Sequence, residues 1–425
     1  MLTTKEVFGR MKSIKALVIG DFALDVYTKG KVDRISPEAP VPVLLVSEIT
    51  EAPGMAGNVA LNLRALGADV EAIGRIGSDV AGRKLQSALF SKGVNTKGLF
   101  MQDGYATPLK NRFLAAGQQI MRSDYEMPSD FLLALEDEVI AYVQESISKV
   151  DIIAVSDYGK GFLTKNILTA ISDAARKNRL KVIVDPKGND FSKYDGFYLI
   201  KPNNKEAYGA AFLGQEESIQ EVAKTIFSKV NTEFLLVTRS DKGMILFSKD
   251  DVAGKEFLAV KKEVRDVTGA GDTALAMITF ALGNKMPFDE AIELANIASG
   301  IAIEQVGCKA VKLVDILQRL LEREPLNKIF GEDSNLFVLE KALENSPLIL
   351  LDFQHEQEIS TEIYHKIMDA AFEKNEAKIL VHIIPTSKNK NFIHLLSSMQ
   401  EIDFIFARSD KPARLFRGCS VLTTI

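Results

Sequence analysis

Short apolar runs recur along most of this chain, and each is followed by a turn and then by a segment with helical periodicity. The runs occupy residues 16–20, 70–73, 151–155, 181–185, 196–200, 234–238 and 244–247. Strand-like segments that alternate with helical segments are typical of βα units, which build a mostly parallel sheet. The sequence therefore predicts an α/β fold with a doubly wound, mostly parallel sheet.

Two segments interrupt this alternation. Residues 41–49 and 109–122 read as extended strands with alternating apolar and polar side chains and no helical segment between them and the next turn. We interpret them as a small β lid. The alternative, that both are ordinary edge strands of the main sheet, stays open at this point.

The chain of 425 residues is longer than one typical domain. The apolar periodicity lapses at residues 322–334, where charged and turn-forming residues dominate. We therefore predict a large domain at residues 1–325 and a small α/β module at residues 336–425. The module contains candidate strands at 347–352, 377–382 and 403–407 and an amphipathic helix at 362–374.

Charge and composition limit the partners. The net charge of −5 argues against nucleic acid, which requires clustered Lys and Arg. Residues 1–20 lack the apolar stretch and cleavage site of a signal peptide, and no window approaches the length of a membrane span. Only Cys308 and Cys419 are present, which suits a reducing compartment. We expect a cytoplasmic protein without nucleic-acid or membrane partners.

The strongest chemical signal is the run Asp-Val-Thr-Gly-Ala-Gly-Asp-Thr at residues 266–273, which opens onto an apolar helix. The backbone amides of Gly269, Ala270 and Gly271 at a helix N-terminus would form a site for a phosphate. Asp272 could then accept the proton of a substrate hydroxyl. The alternative is that Asp272 merely caps the helix.

A second glycine-rich turn lies at residues 53–67 and also feeds a helix. Gly54 permits close approach of a ligand to the backbone, and Asn58 offers both a donor and an acceptor to a sugar hydroxyl. The alternative is a βα turn with an asparagine cap.

Together the two motifs resemble the ribokinase-like, or PfkB, family of carbohydrate kinases, and the likeness runs from residue 15 to residue 313. Segments 36–43, 117–124, 156–161 and 184–188 are more specifically similar to the kinase part of heptose phosphate kinases of lipopolysaccharide core synthesis. The resemblance implies a ribokinase-like fold, ATP and Mg²⁺ as cofactors, and phosphorylation of the anomeric hydroxyl of D-glycero-β-D-manno-heptose 7-phosphate. It also implies that the lid can pair two copies into a homodimer.

The resemblance also implies residue roles. Asp272 would be the base, with the amides of residues 269–271 as an anion hole, and the other matched residues are Asp25 and Asn58 for the sugar, Asn203 and Glu206 for magnesium, and Thr238, Arg239, Gly243 and Asn296 for the nucleotide. The alternatives remain a helix cap for Asn203 with Glu206, and a buried structural amide for Asn296.

A phosphorylated substrate requires a second anion site. The basic candidates are Arg112, Arg122, Lys160 and Lys187, of which we select Arg122 and Lys160. Any one of them could instead be an ordinary surface charge. Met55 stands where the family commonly has a further glycine, so we expect a stiffer turn or a smaller pocket.

The C-terminal module departs from related bifunctional enzymes, whose nucleotidyltransferase domain carries a His-x-Gly-His motif. This chain has no such motif, and its four histidines, His355, His365, His382 and His394, are not paired at that spacing. We interpret the module as a degenerate nucleotidyltransferase-like remnant or an unrelated appendage. Two other functions stay open, namely a kinase of another sugar or nucleoside and a sensor that binds without turnover.

Overall fold

The computed structural model describes residues 11–127, 131–259, 264–304, 307–321, 325–332, 334, 336–343, 346–354, 356–374, 377–410 and 420–424. They form two compact units. The large unit comprises Ser13–Gly283 and Pro287–Val311, and the small unit comprises Asn284–Met286 and the described part of Lys312–Ile425, with residues 11 and 12. The units part at Val311, earlier than residue 325. The domain limits read from the sequence stay a prediction.

The elements of the large unit alternate as expected. Its strands are β1 (Lys15–Ile35), β2 (Pro42–Met55), β3 (Asp69–Gly77), β4 (Asn95–Gln102), β5 (Leu109–Ala115), β6 (Gln118–Tyr125), β7 (Ile152–Ser156), β8 (Val182–Asp185), β9 (Leu199–Ile200), β10 (Phe234–Thr238), β11 (Met244–Ser248) and β12 (Lys255–Phe257). Its helices are α1 (Ala56–Ala65), α2 (Val80–Ser91), α3 (Leu133–Ile147), α4 (Lys165–Asn178), α5 (Asn204–Ala211), α6 (Ile219–Lys229), α7 (Ala270–Gly283) and α8 (Phe288–Ile303).

The main sheet has the strand order β12-β11-β10-β9-β8-β7-β1-β3-β4. Every neighbouring pair from β4 to β10 is parallel, and only β11 runs in the opposite direction, antiparallel to both β10 and β12. Strand β7, inside the sheet between β8 and β1, is buried along its whole length, which explains why residues 152–155 are all apolar. All seven predicted strand segments lie in this sheet, and the predicted mostly parallel topology is confirmed.

The lid grows out of the main sheet. Strand β1 pairs with β3 at its N-terminal end, and farther along it pairs with β2 and β5, while β6 extends the lid beyond β5. The segment predicted as one strand at 109–122 is in fact a hairpin. Its turn contains Ala116 with φ of 49° and Gly117 with φ of 78°, a backbone bend that the alternating pattern did not reveal.

The small unit contains a second parallel sheet, in the order β13-β16-β15-β14-β17. Its strands are β13 (Ile329–Phe330), β14 (Pro347–Asp352), β15 (Lys378–Ile383), β16 (Phe404–Ala407) and β17 (Ser420–Thr424), and its helices are α9 (Leu313–Leu321), α10 (Leu336–Leu343), α11 (Thr361–Glu373) and α12 (Lys390–Ser398). The predicted α/β module is confirmed. Among the described residues, no helix has both the length and the apolar character needed to cross a membrane.

Candidate active site

Asp272 lies in the first turn of α7 and is only 5% exposed. Its Oδ2 atom accepts a hydrogen bond from Asn58 Nδ2 at 2.9 Å, and its Oδ1 atom accepts one from the Tyr158 hydroxyl at 2.8 Å. Both described hydrogen bonds to this carboxylate thus come from side chains outside α7. This arrangement favours a chemical role for Asp272 over a simple helix cap.

The pKa of Asp272 lies near neutral pH. Burial is the main influence and raises the pKa of Asp272 to about 7, while the hydrogen bonds from Asn58 and Tyr158 act in the lowering direction. The nearby charge of Asp185 raises this pKa further, and that of Lys201 lowers it. A carboxylate with a pKa close to the working pH suits a general base, because it can take a proton and release it again.

Asn62 fixes the orientation of Asn58. The Asn62 Nδ2 atom donates to Asn58 Oδ1 at 3.1 Å, while Asn62 Oδ1 accepts from the backbone amide of Val311 at 2.9 Å. Because Asn58 Oδ1 is engaged by a donor, its own amide nitrogen is the group that faces Asp272. Asn62 lies in the glycine-rich motif, but its role was missed, because its contact with the distant Val311 is not visible in the motif.

Tyr158 is a second residue that sequence reasoning missed. It follows β7, and the carboxylate of Asp21 on β1 anchors its loop by accepting from the backbone amides of Tyr158 at 2.9 Å and Lys160 at 3.0 Å. Burial raises the pKa of the Tyr158 hydroxyl well above its usual value, so this group stays a hydrogen-bond donor. The motif at 156–161 was recognised, yet nothing local to it points to Asp272.

The backbone conformation and the neighbours of Gly269 require glycine at this position of the anion hole. Gly269 has φ of 79°, and a Cβ atom there would lie 2.7 Å from Asn58 Nδ2. A Cβ atom on Gly271 would lie 3.7 Å from Asp185 Oδ2 and 3.9 Å from Lys201 Nζ. A side chain at position 269 would therefore displace Asn58, and Gly271 lies at van der Waals distance from Asp185 and Lys201.

Asp25 and Gly54, the two residues predicted to bind the sugar together with Asn58, lie side by side on β1 and β2. Asp25 is buried and pairs with Arg112 through Nη1 at 2.6 Å. A Cβ atom on Gly54 would lie 2.5 Å from Asp25 Oδ2, so only glycine leaves this carboxylate in place. The adjoining Met55 has φ of 55° and ψ of −128°, a conformation that glycine adopts far more readily.

Basic side chains lie across the lid beside Asp25. Lys110 is the register partner of Asp25 on β1 and of Asp124 on β6. Arg122 pairs with Asp124 at 2.8 Å, and Lys160 pairs with Glu126 at 2.7 Å. Lys110 has no ion-pair partner in the described part of the chain. Burial lowers the pKa of Lys110, while the nearby charge of Asp124 acts in the raising direction.

The residues matched to the nucleotide side converge on β10 and β12. A Cβ atom on Gly243 would lie 2.0 Å from the carbonyl oxygen of Phe257, and Asn296 Nδ2 donates to that same oxygen at 3.4 Å. Arg239 pairs with Glu256 at 3.0 Å. Thr238 lies at the end of β10, and its backbone amide donates to the carbonyl oxygen of Pro202 at 3.0 Å.

Asn203 and Glu206 form a capping box at the start of α5. Asn203 Oδ1 accepts from the Glu206 amide at 2.9 Å, Glu206 Oε2 accepts from the Asn203 amide at 3.1 Å, and Lys187 pairs with Glu206 at 2.9 Å. Burial raises the pKa of Asp185, and the charge of Glu206 raises it further, so the cap lies within electrostatic reach of Asp185. These oxygen donors, already used by the cap, fit a magnesium ion held through water.

Residues 13–314 match the family model described as pfkB family carbohydrate kinase. The chain belongs to this family. This membership confirms the resemblance read from the two glycine-rich motifs.

Several curated proteins that are similar to this chain carry the name Bifunctional protein HldE. The one from Trichlorobacter lovleyi is 41% identical over 315 residues, covering 74% of this chain and 64% of its own length. The one from Citrifermentans bemidjiense is 42% identical over 312 residues, covering 73% of this chain and 64% of its own length. This pfkB kinase thus spans somewhat less than two thirds of these relatives.

Solved structures support the fold of this pfkB kinase. Arabidopsis thaliana ribokinase, solved with ribose and ATP, aligns with a TM-score of 0.57 at 18% identity, over 73% of this chain and 99% of that one. Escherichia coli phosphofructokinase-2, solved with potassium, aligns with a TM-score of 0.59 at 20% identity over the same shares. The ribokinase-like fold class is confirmed.

Proposed function

We propose that this pfkB kinase transfers the γ-phosphoryl group of ATP to the anomeric hydroxyl of D-glycero-β-D-manno-heptose 7-phosphate. The product would serve ADP-heptose and lipopolysaccharide core synthesis, as the similarity to heptose phosphate kinases implies. The observation that carries the proposal is the buried Asp272, whose pKa is raised to about 7. Asp272 directly follows the glycine turn that exposes backbone amides at a helix N-terminus.

The chemistry follows from this arrangement. Asp272 accepts the proton of the anomeric hydroxyl while the hydroxyl oxygen bonds to the γ-phosphorus and the bond to the β,γ-bridging oxygen breaks, which releases ADP. The amides of Gly269, Ala270 and Gly271 would hold the transferred group at the positive end of α7. Asn58 and Tyr158 hold the carboxylate in place through its two oxygen atoms.

The nucleotide would lie toward β10 and β12. Thr238, Arg239, Gly243 and Asn296 are the residues proposed to contact it, and Asn203 and Glu206 are proposed to hold magnesium through water. When bound, magnesium neutralises phosphate charge, which lowers the cost of bringing ATP beside carboxylates.

The lid supports a substrate that already carries a phosphate. Arg122 and Lys160 are paired with carboxylates, whereas Lys110 is half-buried without an ion-pair partner in the described residues. A half-buried ammonium group is costly unless an anion accompanies it. We assign the substrate phosphate to Lys110, Arg122 and Lys160, and the sugar hydroxyls to Asp25, Gly54 and Asn58.

The lid also presents an apolar surface. Ile35, Val41, Leu45, Ile49 and Met121 are exposed on lid strands or the turn between them, and Leu45 is 70% exposed. Exposed apolar patches on a monomer commonly mark an interaction surface. We assign this surface to a second copy of the chain, which would make a homodimer through the lid.

The test is a coupled ADP-release assay with magnesium and ATP. The substrates are the heptose 7-phosphate, the same heptose without phosphate, ribose, fructose, fructose 6-phosphate and adenosine. Turnover should be confined to the heptose 7-phosphate and lost in Asp272→Asn. Turnover of another sugar would change the substrate assignment. Binding without turnover of any of these compounds would refute the kinase activity.

A variant of the lid sharpens the substrate assignment. Lys110→Met should raise KM for the heptose 7-phosphate roughly 10-fold or more, because a hydrogen bond to a charged group contributes about 1.5–3 kcal/mol. Lys149→Met is the matched control, since the described ion pair of Lys149, with Glu145, is exposed. Equal KM values in the two variants would remove Lys110 from the phosphate site.

A further inference from the structure

Lys201 is a buried cation, and none of the functional roles proposed above involves it. It follows β9, is 2% exposed, and its backbone amide is bound to Val184 at 2.8 Å on the neighbouring strand β8. Its Nζ atom lies 2.9 Å from Asp185 Oδ2. The pair therefore lies at the carboxyl end of two adjacent parallel strands, the edge at which ligands bind in open α/β sheets.

The ion pair lies against the anion hole. A Cβ atom on Gly271 would lie 3.9 Å from Lys201 Nζ and 3.7 Å from Asp185 Oδ2. Because glycine has no side chain, nothing from residue 271 covers the ion pair. Both charges also act on Asp272. The ammonium group is thus close to Gly271 of the proposed anion hole and to the proposed base.

Stability alone gives little reason to bury this pair. Desolvation of two charges offsets much of their mutual attraction, so apolar residues of similar volume are often as stabilising at such positions. An ammonium group has three N–H donors, and the described contact with Asp185 uses one of them. A fixed positive charge in a site that excludes water is most useful where negative charge develops.

We propose that Lys201 Nζ contacts the phosphoryl group during transfer, with Asp185 holding the ammonium group in position. The inference rests on the kinase function proposed above and adds a residue to it. Lys201 keeps its protons throughout, because the proton of the sugar hydroxyl goes to Asp272 and the electron pair of the broken bond leaves with ADP. Lys201 therefore stabilises charge, and Asp185 is a positioning residue.

The competing explanation is that Lys201 only neutralises Asp185, and a double variant separates the two. In Lys201→Met combined with Asp185→Asn, no uncompensated buried charge remains. Our inference predicts that kcat falls roughly 100-fold or more in both Lys201→Met and the double variant, as when one oxyanion donor is removed. Simple neutralisation predicts that the double variant recovers the kcat of Asp185→Asn, and that result would overturn the inference.

Lys193→Met is the matched control. Lys193 also pairs with a buried carboxylate, that of Asp157 at 2.7 Å, but it is not among the charges that act most strongly on Asp272. Its kcat should stay within a few-fold of the wild-type value. Thermal unfolding of each variant shows whether the chain is folded, and the double variant keeps the test valid if Lys201→Met alone does not fold.

Binding of orthovanadate, an analogue of the phosphoryl group, tests Lys201 without turnover. Calorimetry should give a Kd at least roughly 10-fold weaker in the double variant than in Asp185→Asn, because a charge-assisted hydrogen bond is lost. Equal Kd values, or no binding to the wild-type chain, would overturn the inference. If the wild-type chain turns over none of the sugars, the proposed function fails, while the vanadate result still decides the role of Lys201.

Discussion

The hydroxyl of Tyr158 donates a 2.8 Å hydrogen bond to Asp272 Oδ1, and the two residues are 114 positions apart in the sequence. The carboxylate of Asp21 in turn holds the Tyr158 loop by accepting a hydrogen bond from the backbone amide of Tyr158 at 2.9 Å. The central strand β1 therefore helps to position the base through a residue that lies outside the Asp272 motif.

Removing this hydroxyl should change the pH dependence of the reaction. The hydrogen bond favours the ionised form of Asp272, so Tyr158→Phe should raise the pKa of Asp272 above about 7. The acidic limb of kcat/KM should move upward by roughly one pH unit, since a hydrogen bond to a charged group contributes about 1.5 kcal/mol. Activity near pH 7 should fall and then recover in alkaline buffer.

The control for this profile is Tyr142→Phe. The Tyr142 hydroxyl donates to Glu71 at 2.6 Å and is not among the groups that shift Asp272. Its pH profile should match that of the wild-type chain. A Tyr158→Phe enzyme with reduced activity but an unmoved acidic limb would show that Tyr158 acts on the substrate and not on the base.

The sequence predicted the parts of the site that lie within continuous motifs. One turn contains Gly269, Ala270, Gly271 and Asp272. The apolar runs predicted the main strands, because strands that are buried on both faces require apolar side chains. Tyr158 and Lys110 were missed, since their importance depends on pairing between distant strands. Sequence periodicity does not reveal which side chains face each other across a sheet.

The same limit explains the lid. The run at 109–122 has the alternation of a single strand, but the positive φ values at Ala116 and Gly117 turn it into a hairpin. That turn brings Arg122 opposite Arg112 and Asp124 opposite Lys110. The charge arrangement proposed for the substrate phosphate exists only after this pairing has formed.

Met55 should be more tolerant of glycine than of alanine. Its φ of 55° with ψ of −128° is strained for any side chain, at a cost on the order of 1–3 kcal/mol. Both substitutions lose the buried methionine side chain, but only glycine relieves the strain. Met55→Gly should therefore be more stable than Met55→Ala by about 1 kcal/mol in urea denaturation.

Met244 provides the reference for this comparison. It is buried in β11 and is absent from the residues with positive φ. Glycine weakens a strand interior, so Met244→Gly should be less stable than Met244→Ala. The same order at Met55 would mean that its backbone is not under strain.

Gly54→Ala should impair binding of the sugar more than the chemical step. A Cβ atom at this position would lie 2.5 Å from Asp25 Oδ2, so the Asp25 carboxylate must move. Steady-state kinetics should show KM for the sugar raised roughly 10-fold or more, in line with loss of a charge-assisted hydrogen bond. The value of kcat should change less, because Asp272 is untouched.

Gly300→Ala serves as the matched substitution. A Cβ atom on Gly300 in α8 would meet nothing within 4 Å. Alanine should therefore leave KM unchanged and raise stability by roughly 0.5–1 kcal/mol, because it restricts the unfolded chain. A KM that is unchanged in Gly54→Ala as well would remove Asp25 from the sugar site.

The proposed lid dimer predicts a change in mass after one substitution. Leu45 is 70% exposed on β2, and glutamate at this position would place a charge in the apolar surface. Light scattering with size-exclusion chromatography should give a dimer for the wild-type chain and a monomer for Leu45→Glu. Phe372→Glu is the control, since Phe372 is 93% exposed on α11 and outside the lid. A monomeric wild-type chain would contradict the proposal.

The buried carboxyl of Asp272 should also make stability depend on pH. Its pKa is raised from 3.8 to about 7 in the folded chain, chiefly by burial. Below pH 4 both the folded and the unfolded states bind the proton. As the pH rises toward 7 the unfolded state releases it first, so the stability that this group contributes at low pH is lost, by an amount on the order of 4 kcal/mol.

Asp272→Asn lacks this titrating group, so its stability relative to the wild-type chain should change with pH in one direction. Asparagine offers one acceptor where the carboxylate offers two, so one of the bonds from Asn58 and Tyr158 is weakened at every pH. That cost is constant, whereas the gain from removing the buried charge grows between pH 4 and pH 7. The free energy of unfolding of Asp272→Asn, relative to the wild-type chain, should therefore increase across this range in urea denaturation. A difference that stays flat would mean that folding does not raise the pKa of Asp272, so Asp272 would already be ionised above about pH 4 and would be a weak base at pH 7.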